Sequence, residues 1–306
     1  MNTLKKIAVI TCVLFGIHTQ AQNNTVTFKN GKTEIAINKQ PQKVVVFDLS
    51  VLETFQELGI PVAGVPNALP KHLSSYDKPE ILKLGGITKP NIEAIAEMKP
   101  DLIIGSGRIS TKMDSLQAIA PTITINIDNE NYWASFEENV LNIAKLYGKE
   151  DLASKKLKEL KSKLDKSVKT IAKNNDKVVT VLHVNGKFVP HGPKDRFGFV
   201  HDLLGAKPAY VKPITKEDNA PKDKKNAAPS PSLKEINPDV IFIIDRTTAI
   251  SGETIDLETI YTDDLKSTNA FKNNKVYLLP GTMWYLTGSG LISVENKILD
   301  LGNKLK

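Results

Sequence analysis

The sequence is poor in cysteine, in arginine and in long apolar runs. Of its 306 residues one is cysteine, Cys12. A single thiol excludes a disulfide framework and a multi-cysteine metal site. Past the N-terminus no apolar run approaches the ~20 residues a membrane-crossing helix needs. No Gly-x-Ser-x-Gly, His-Glu-x-x-His or P-loop pattern occurs, so no common hydrolase or nucleotide motif is present. Among 41 basic residues only three are arginine: Arg108, Arg196 and Arg246. The formal charge of +7 is therefore lysine spread along the chain, without an Arg-rich tract, and nucleic acid is not indicated as a partner.

What is present begins with an address. Lys5 and Lys6 precede an apolar stretch, 7–17, and Thr19-Gln20-Ala21 offers a small-x-small cleavage pattern. This reads as a secretory signal peptide, residues 1–21, and implies an exported, periplasmic protein. Lipid anchoring through Cys12 is the alternative. Removal of the segment also removes the one thiol.

Beyond it, short β-branched runs alternate with helical patterns. Strands are expected at 44–47, 62–65, 101–106 and 122–127, with helices at 50–58 (capped by Ser50), 90–98 and 111–119. Residues 133–173 contain no proline and one glycine, Gly148, and carry apolar residues at helical spacing. They predict one very long helix, or two with a break at Gly148. Strands then return at 178–184, 240–244 and 276–279, with helices at 197–204, 257–265 and 291–305. The fold class is α/β: two lobes with mainly parallel sheets, 22–132 and 176–306, joined by a long connecting helix, 133–175, with a ligand cleft between them. Residues 212–231, rich in Lys, Asp, Asn and Pro, read as a surface loop.

An internal repeat places two of the arginines. Residues 97–108, ending Pro-Asp-Leu-Ile-Ile-Gly-Ser-Gly-Arg108, align without a gap on residues 235–246, ending Pro-Asp-Val-Ile-Phe-Ile-Ile-Asp-Arg246. Each is a helix end, a Pro-Asp turn, a buried strand and an arginine where the strand finishes. Open α/β sheets bind ligands beyond the carboxyl ends of their strands. Arg196 follows a Gly192-Pro193 turn that suits the same edge. Three planar, permanently charged forks facing one cleft would make a site for a multiply charged anion. The competing reading is three salt bridges within the lobes.

The ordered motifs carry a resemblance. Lys99-Pro-Asp-Leu-Ile-Ile-Gly-Ser-Gly-Arg108, Ala120-Pro-Thr, Gly192-Pro-Lys-Asp-Arg196-Phe-Gly, His201-Asp-Leu-Leu-Gly205, Asn237-Pro-Asp-Val-Ile-Phe-Ile-Ile-Asp-Arg246, and Trp284-Tyr285-Leu with Gly288-Ser-Gly290 stand in that order. Over residues 40–306 the chain resembles the ABC-transporter substrate-binding proteins of the class III fold. It is similar in particular to the branch that binds catecholate siderophores of the enterobactin and petrobactin type. The resemblance implies that Arg108, Arg196 and Arg246 surround a negatively charged ferric catecholate, and that Tyr285 contacts it or ligates its iron. The branch's loop histidine has no counterpart between Pro213 and Ser232; His191 is the substitute candidate. Lys83 and Trp284 are further ligand-binding candidates, and His72, His183 and His201 are read as structural. No intrinsic cofactor is expected: ferric iron enters as part of the ligand. The implied partners are the ferric siderophore and an inner-membrane ABC permease, the protein acting as a monomer and not as an enzyme. A receptor of the same fold for haem or a corrinoid, and an exported enzyme, are the alternatives.

Overall fold

The computed structural model describes residues 24–30, 33–213, 230–253 and 255–306. The signal segment with Cys12, and most of the 212–231 loop, lie outside the described residues.

Two sheets carry the architecture. In the first, five strands run in the order Leu82–Lys83, Gly64–Val65, Val44–Val46, Leu102–Gly105 and Thr122–Thr124, and every pair is parallel. The chain starts in the middle at Val44–Val46, winds outward to one edge, then crosses back to Leu102–Gly105. The point where the order reverses therefore lies between these two strands, in register Val44 to Leu102 and Val46 to Ile104. Loops leaving two strands at such a point diverge and leave a crevice. The second sheet is ordered Lys187–His191, Val178–Val184, Val240–Asp245 and Val276–Leu278. Its last three strands are parallel, and Lys187–His191 pairs antiparallel with its neighbour. That edge strand was not expected from the sequence. Phe188, Val189 and Pro190 are too few to form a pattern, and pairing with Val178–Val184 through the Asn185-Gly186 turn decides it. A Thr25–Asn30 and Thr33–Asn38 hairpin, also not foreseen, precedes the first sheet.

The internal repeat is a repeat in three dimensions. The two helices end at Lys99 and Asn237, both left-handed with φ of 51° and 42°. Asp101 then accepts the backbone N–H groups of Gln42 and Lys43, and Asp239 accepts that of Lys177. Each Pro-Asp turn thus pins the start of the neighbouring parallel strand. Both following strands are fully buried, and the arginine comes next.

Expected helices are found with adjusted ends. Asp48, not Ser50, caps Leu49–Leu58, because its carboxylate accepts the N–H groups of Ser50 and Val51 at 2.8 and 3.2 Å. The expected 257–265 helix is a 3₁₀ turn, Leu257–Ile260, and a separate helix, Asp263–Lys266. Between the sheets, Tyr132–Tyr147 and Glu150–Ile171 are distinct helices. Gly148 ends the first with φ of 63°, a conformation open to glycine without strain. The connecting helix is thus the 22-residue Glu150–Ile171 segment.

The final helix, Leu291–Lys304, packs on both Leu49–Leu58 and Glu150–Ile171, so the C-terminus seals against the first lobe. Its entry is tight. Ser50 Oγ donates to the Thr287 carbonyl, and the fully buried Glu53 carboxylate accepts the Ser293 N–H at 2.9 Å. A Cβ on Gly290 would collide with the Ser50 carbonyl oxygen and with Glu53. Over-packing of this kind costs about 1–3 kcal/mol. Gly290→Ala should therefore lower the thermal midpoint by several degrees, whereas Gly107→Ala, with open space around its Cβ, should leave it unchanged. Calorimetric melting of the two variants checks this.

Candidate functional site

The crevice at the first sheet's reversal point opens into a cavity of about 410 Å³, walled by both lobes. Asp48 and Arg108 enter it from the ends of the two central strands; Arg196, Phe199 and the 284–289 segment enter from the second lobe. A larger groove of about 780 Å³ lies along Tyr132–Tyr147 and Glu150–Ile171, but it is a lysine-lined helix face to which no strand contributes a residue among the described ones.

Tyr285 is the centre of the site. It sits in a π-helical turn, Thr282–Thr287, a wide helical geometry that recurs at functional sites. Its backbone carbonyl accepts from Arg108 Nη2 at 2.5 Å and from Arg196 Nη2 at 2.9 Å. Both guanidiniums also lie against its ring, 5.3 and 4.6 Å from the centroid. Arg246 reaches the other end of the residue, its Nε donating to the phenol oxygen at 3.1 Å. All three arginines thus meet on one tyrosine, from Gly107–Lys112, from the turn after Lys187–His191, and from the start of Arg246–Ser251.

Among the described residues no carboxylate lies within 4.0 Å of any of the three guanidiniums; the ion pairs there involve lysine or histidine. The salt-bridge alternative is thereby absent from the described residues. The crowding acts on the ionisation of both partners. Burial, and then the charge of Arg108, push the Arg196 guanidinium below its ordinary value. At Tyr285 burial pushes the phenol up, but the hydrogen bond and charge of Arg246, followed by the charge of Arg196, outweigh it and hold the phenol below its ordinary value.

The other candidates are distributed unevenly. Trp284 is buried in the cavity wall, edge-on to Phe199 at 5.9 Å. Lys83 is exposed on an edge strand, paired with Asp77 at 3.0 Å, and does not line the cavity. His191 also lies off the cavity lining. Its Nδ1 is 2.8 Å from Asp195, its ring packs edge-on against Phe197, and its Nε2 is buried with no partner among the described residues. Phe197 in turn stacks on Tyr285 at 6.5 Å. The remaining histidines hold structure: His72 contacts Glu53, His201 contacts the Ala206 carbonyl, and His183 braces the buried Asp245 that caps the Arg246 helix. Among the described residues no group of three His, Cys, Asp or Glu side chains could hold a metal.

Sequence reasoning missed two charged cavity residues. Among the described residues Asp48 is the one carboxylate on the wall; burial pushes it up to about 6 against the pull of its helix N–H groups and Arg108. Lys297 lies on the inward face of the last helix, where period-3.6 reading expects an apolar residue, and is 5% exposed. The signal available was a lysine between Val294 and Ile298 on a buried stripe.

Among the described residues Tyr285 is the tyrosine whose phenol accepts a hydrogen bond from an arginine, and burial pushes Tyr76, Tyr132 and Tyr147 far up. Tyr285 should therefore be the first phenol to ionise in a tyrosinate absorbance titration. Arg246→Ala should move that first step to higher pH, and Tyr285→Phe should delete it. A first step unaffected by either substitution would contradict the geometry.

Comparison with known proteins places the fold. Residues 44–282 match the periplasmic binding protein family model. The chain is 33% identical to the petrobactin-binding protein YclQ of Bacillus subtilis, across 95% of this chain and 91% of that one. The crystal structure of that protein superposes with a TM-score of 0.81, covering 92% of this chain and 99% of the other. The ferric-anguibactin-binding protein FatB of Vibrio anguillarum is 30% identical over 92% of this chain and 88% of its own. The siderophore-binding protein BauB, solved with two acinetobactin molecules and ferric iron, is 28% identical with a TM-score of 0.79, covering 92% and 99%. With one residue in three identical along nearly its whole length, and a shared fold, the chain belongs to the periplasmic binding protein family.

Proposed function

We propose that this protein captures a negatively charged ferric catecholate siderophore in the inter-lobe cleft and delivers it to an ABC permease in the inner membrane. One observation carries the reading: three guanidiniums without a carboxylate partner among the described residues converge on one tyrosine, and that tyrosine lines a cavity together with Arg108 and Arg196, while Arg246 holds its phenol from behind the wall. Such an arrangement is electrostatically balanced by an anion between the lobes, and flat, delocalised oxyanions such as catecholates suit the guanidinium fork. Relatives that bind petrobactin and ferric anguibactin, and a structural neighbour holding ferric iron with acinetobactin, support it. Iron is cargo in this reading. Haem and corrinoids are not favoured, since neither needs three arginines, and a family of binding proteins gives no support to an enzyme.

The lobes 22–132 and 176–306, joined through 133–175, provide the two walls. The leader 1–21 sends the chain to the periplasm, where it works as a monomer; anchoring through Cys12 is the alternative route to the same membrane face. Tyr285, at the meeting point of the arginines, is the residue placed to contact the ligand or to complete the iron's coordination. A phenol already drawn down by Arg246 and Arg196 gives up its proton to a metal more readily.

The test is a fluorescence-quenching titration, with Trp284 in the cavity wall as reporter, against ferric tris-catecholate, bis-catecholate, mixed catecholate–citrate, hydroxamate and haem. A charge-assisted hydrogen bond contributes about 1.5–3 kcal/mol. Arg108→Ala, Arg196→Ala and Arg246→Ala should each weaken ferric-catecholate binding about tenfold or more, and Lys161→Ala, on the remote lysine face, hardly at all. Equal small effects from all four would overturn the reading. Tyr285→Phe should weaken and spectrally shift a tetradentate bis-catecholate complex while sparing a hexadentate tris-catecholate. Equal loss with both would make Tyr285 a packing residue.

A further inference from the structure

The last helix buries Leu291, Val294, Ile298 and Leu301 against the lobes, and Lys297 shares that buried face. Its ammonium donates to the Gly288 carbonyl at 2.7 Å and lies over the rings of Trp284 and Phe199, 4.5 and 5.1 Å from their centroids. Its two other donors find no acceptor among the described residues. Among the described residues no carboxylate comes within 4.0 Å of it, and Glu53, whose charge acts on it, is engaged by His72 and the Ser293 N–H. A buried, unpaired ammonium is destabilising compared with a leucine or methionine of similar size, so packing alone does not account for it. Lys297 lines the same cavity as Arg108 and Arg196.

We propose that Lys297 is a further ligand-binding residue, a cation lining the cavity that contacts an anionic oxygen of the siderophore. This rests on the receptor reading above.

The charged and titratable groups facing Lys297 come from every side of the cleft. Asp48 caps the Leu49–Leu58 helix and Glu53 belongs to it, Tyr132 opens Tyr132–Tyr147, Arg108 lies in Gly107–Lys112, Arg196 in the turn after Lys187–His191, and Tyr285 in the π-helical turn. On its own helix Glu295 and Asp300 are paired with Lys163 and Lys304. Burial pushes the ammonium down to about 7, Glu53 opposes this, and Arg196 adds to it. Near neutral pH the residue is therefore divided between ammonium and amine. An anion arriving in the cleft favours the ammonium and raises its pKa. The sign follows from this. Affinity is full below the unliganded value and falls as pH climbs through the liganded one. Above pH 7 Asp48 is already largely ionised, so it adds little slope in that window.

Isothermal titration with the ferric tris-catecholate and the ferric mixed catecholate–citrate complex, between pH 7 and pH 9 in buffers of different ionisation enthalpy, tests the proposal. The wild-type protein should take up protons on binding at pH 8, and its affinity should fall by up to about tenfold per pH unit. Lys297→Met should bind more weakly at pH 7, with a flatter pH profile and reduced proton uptake. Lys297→Gln, which keeps a donor for Gly288, should do the same, separating charge from support of that carbonyl. Profiles parallel to wild type in both variants would overturn the proposal and leave Lys297 as a prop for the Gly288 turn; so would wild-type binding without proton uptake. Binding of none of the ferric probes by the wild-type protein would overturn the receptor reading and this inference together.

Discussion

Everything in the cleft is arranged around the repulsion between like charges held close together. Arg108 and Arg196 share one carbonyl oxygen, and Arg246 holds the phenol of the same residue. Water would ordinarily separate such cations. Here they are kept together by a carbonyl dipole, an aromatic face and a phenol oxygen, none of which carries a formal charge. A tyrosine at this point serves all three needs at once: its carbonyl accepts, its ring offers a negative face, and its hydroxyl group meets the third guanidinium. The result is a preorganised concentration of positive potential whose natural complement is an anion.

Holding that cluster demands a stiff joint between the lobes, and the 282–293 segment supplies it. Gly288 offers its carbonyl to Tyr132 from one helix and to Lys297 from another. Thr287 is tied to Ser50, and Ser293 to Glu53. The bare backbone of Gly290 lets the segment approach the first helix closely. The turn carrying Tyr285 is thus part of the second lobe by sequence but is anchored on the first. Changes in the spacing of the lobes would act directly on the arginine cluster.

Much of this was legible in the residues. The buried strands were readable because parallel strands covered on both faces are continuous β-branched runs. The Pro-Asp repeat was readable because it reuses one local solution twice: a left-handed helix end, and an aspartate capping the neighbouring strand. Less legible were features whose cause is distant. Ser50 reads as a cap, yet its hydroxyl group bonds Thr287, 237 residues away, and Asp48 takes the capping role. The Lys187–His191 strand exists through pairing at the sheet edge. Lys83 and His191 have suitable chemistry and adjacent motifs, but neither lines the cavity.

The sequence by itself determined the fold class, the strand-end placement of Arg108 and Arg246, the motif order that resembles siderophore receptors, and the near-monopoly of lysine that made three arginines conspicuous. These depend on local propensity, hydrophobic period and residue chemistry, all of which are short-range. Tertiary structure decided that the guanidiniums meet on Tyr285, that Asp48 and Lys297 line the same cavity, and that the final helix closes on the first lobe. Those outcomes depend on strand order and on contacts between residues far apart in the chain, such as the 156 that separate Tyr132 from Gly288. No periodicity in the chain encodes which distant surfaces will meet. That is settled only when both lobes have buried their apolar faces and left their polar strand ends opposite one another.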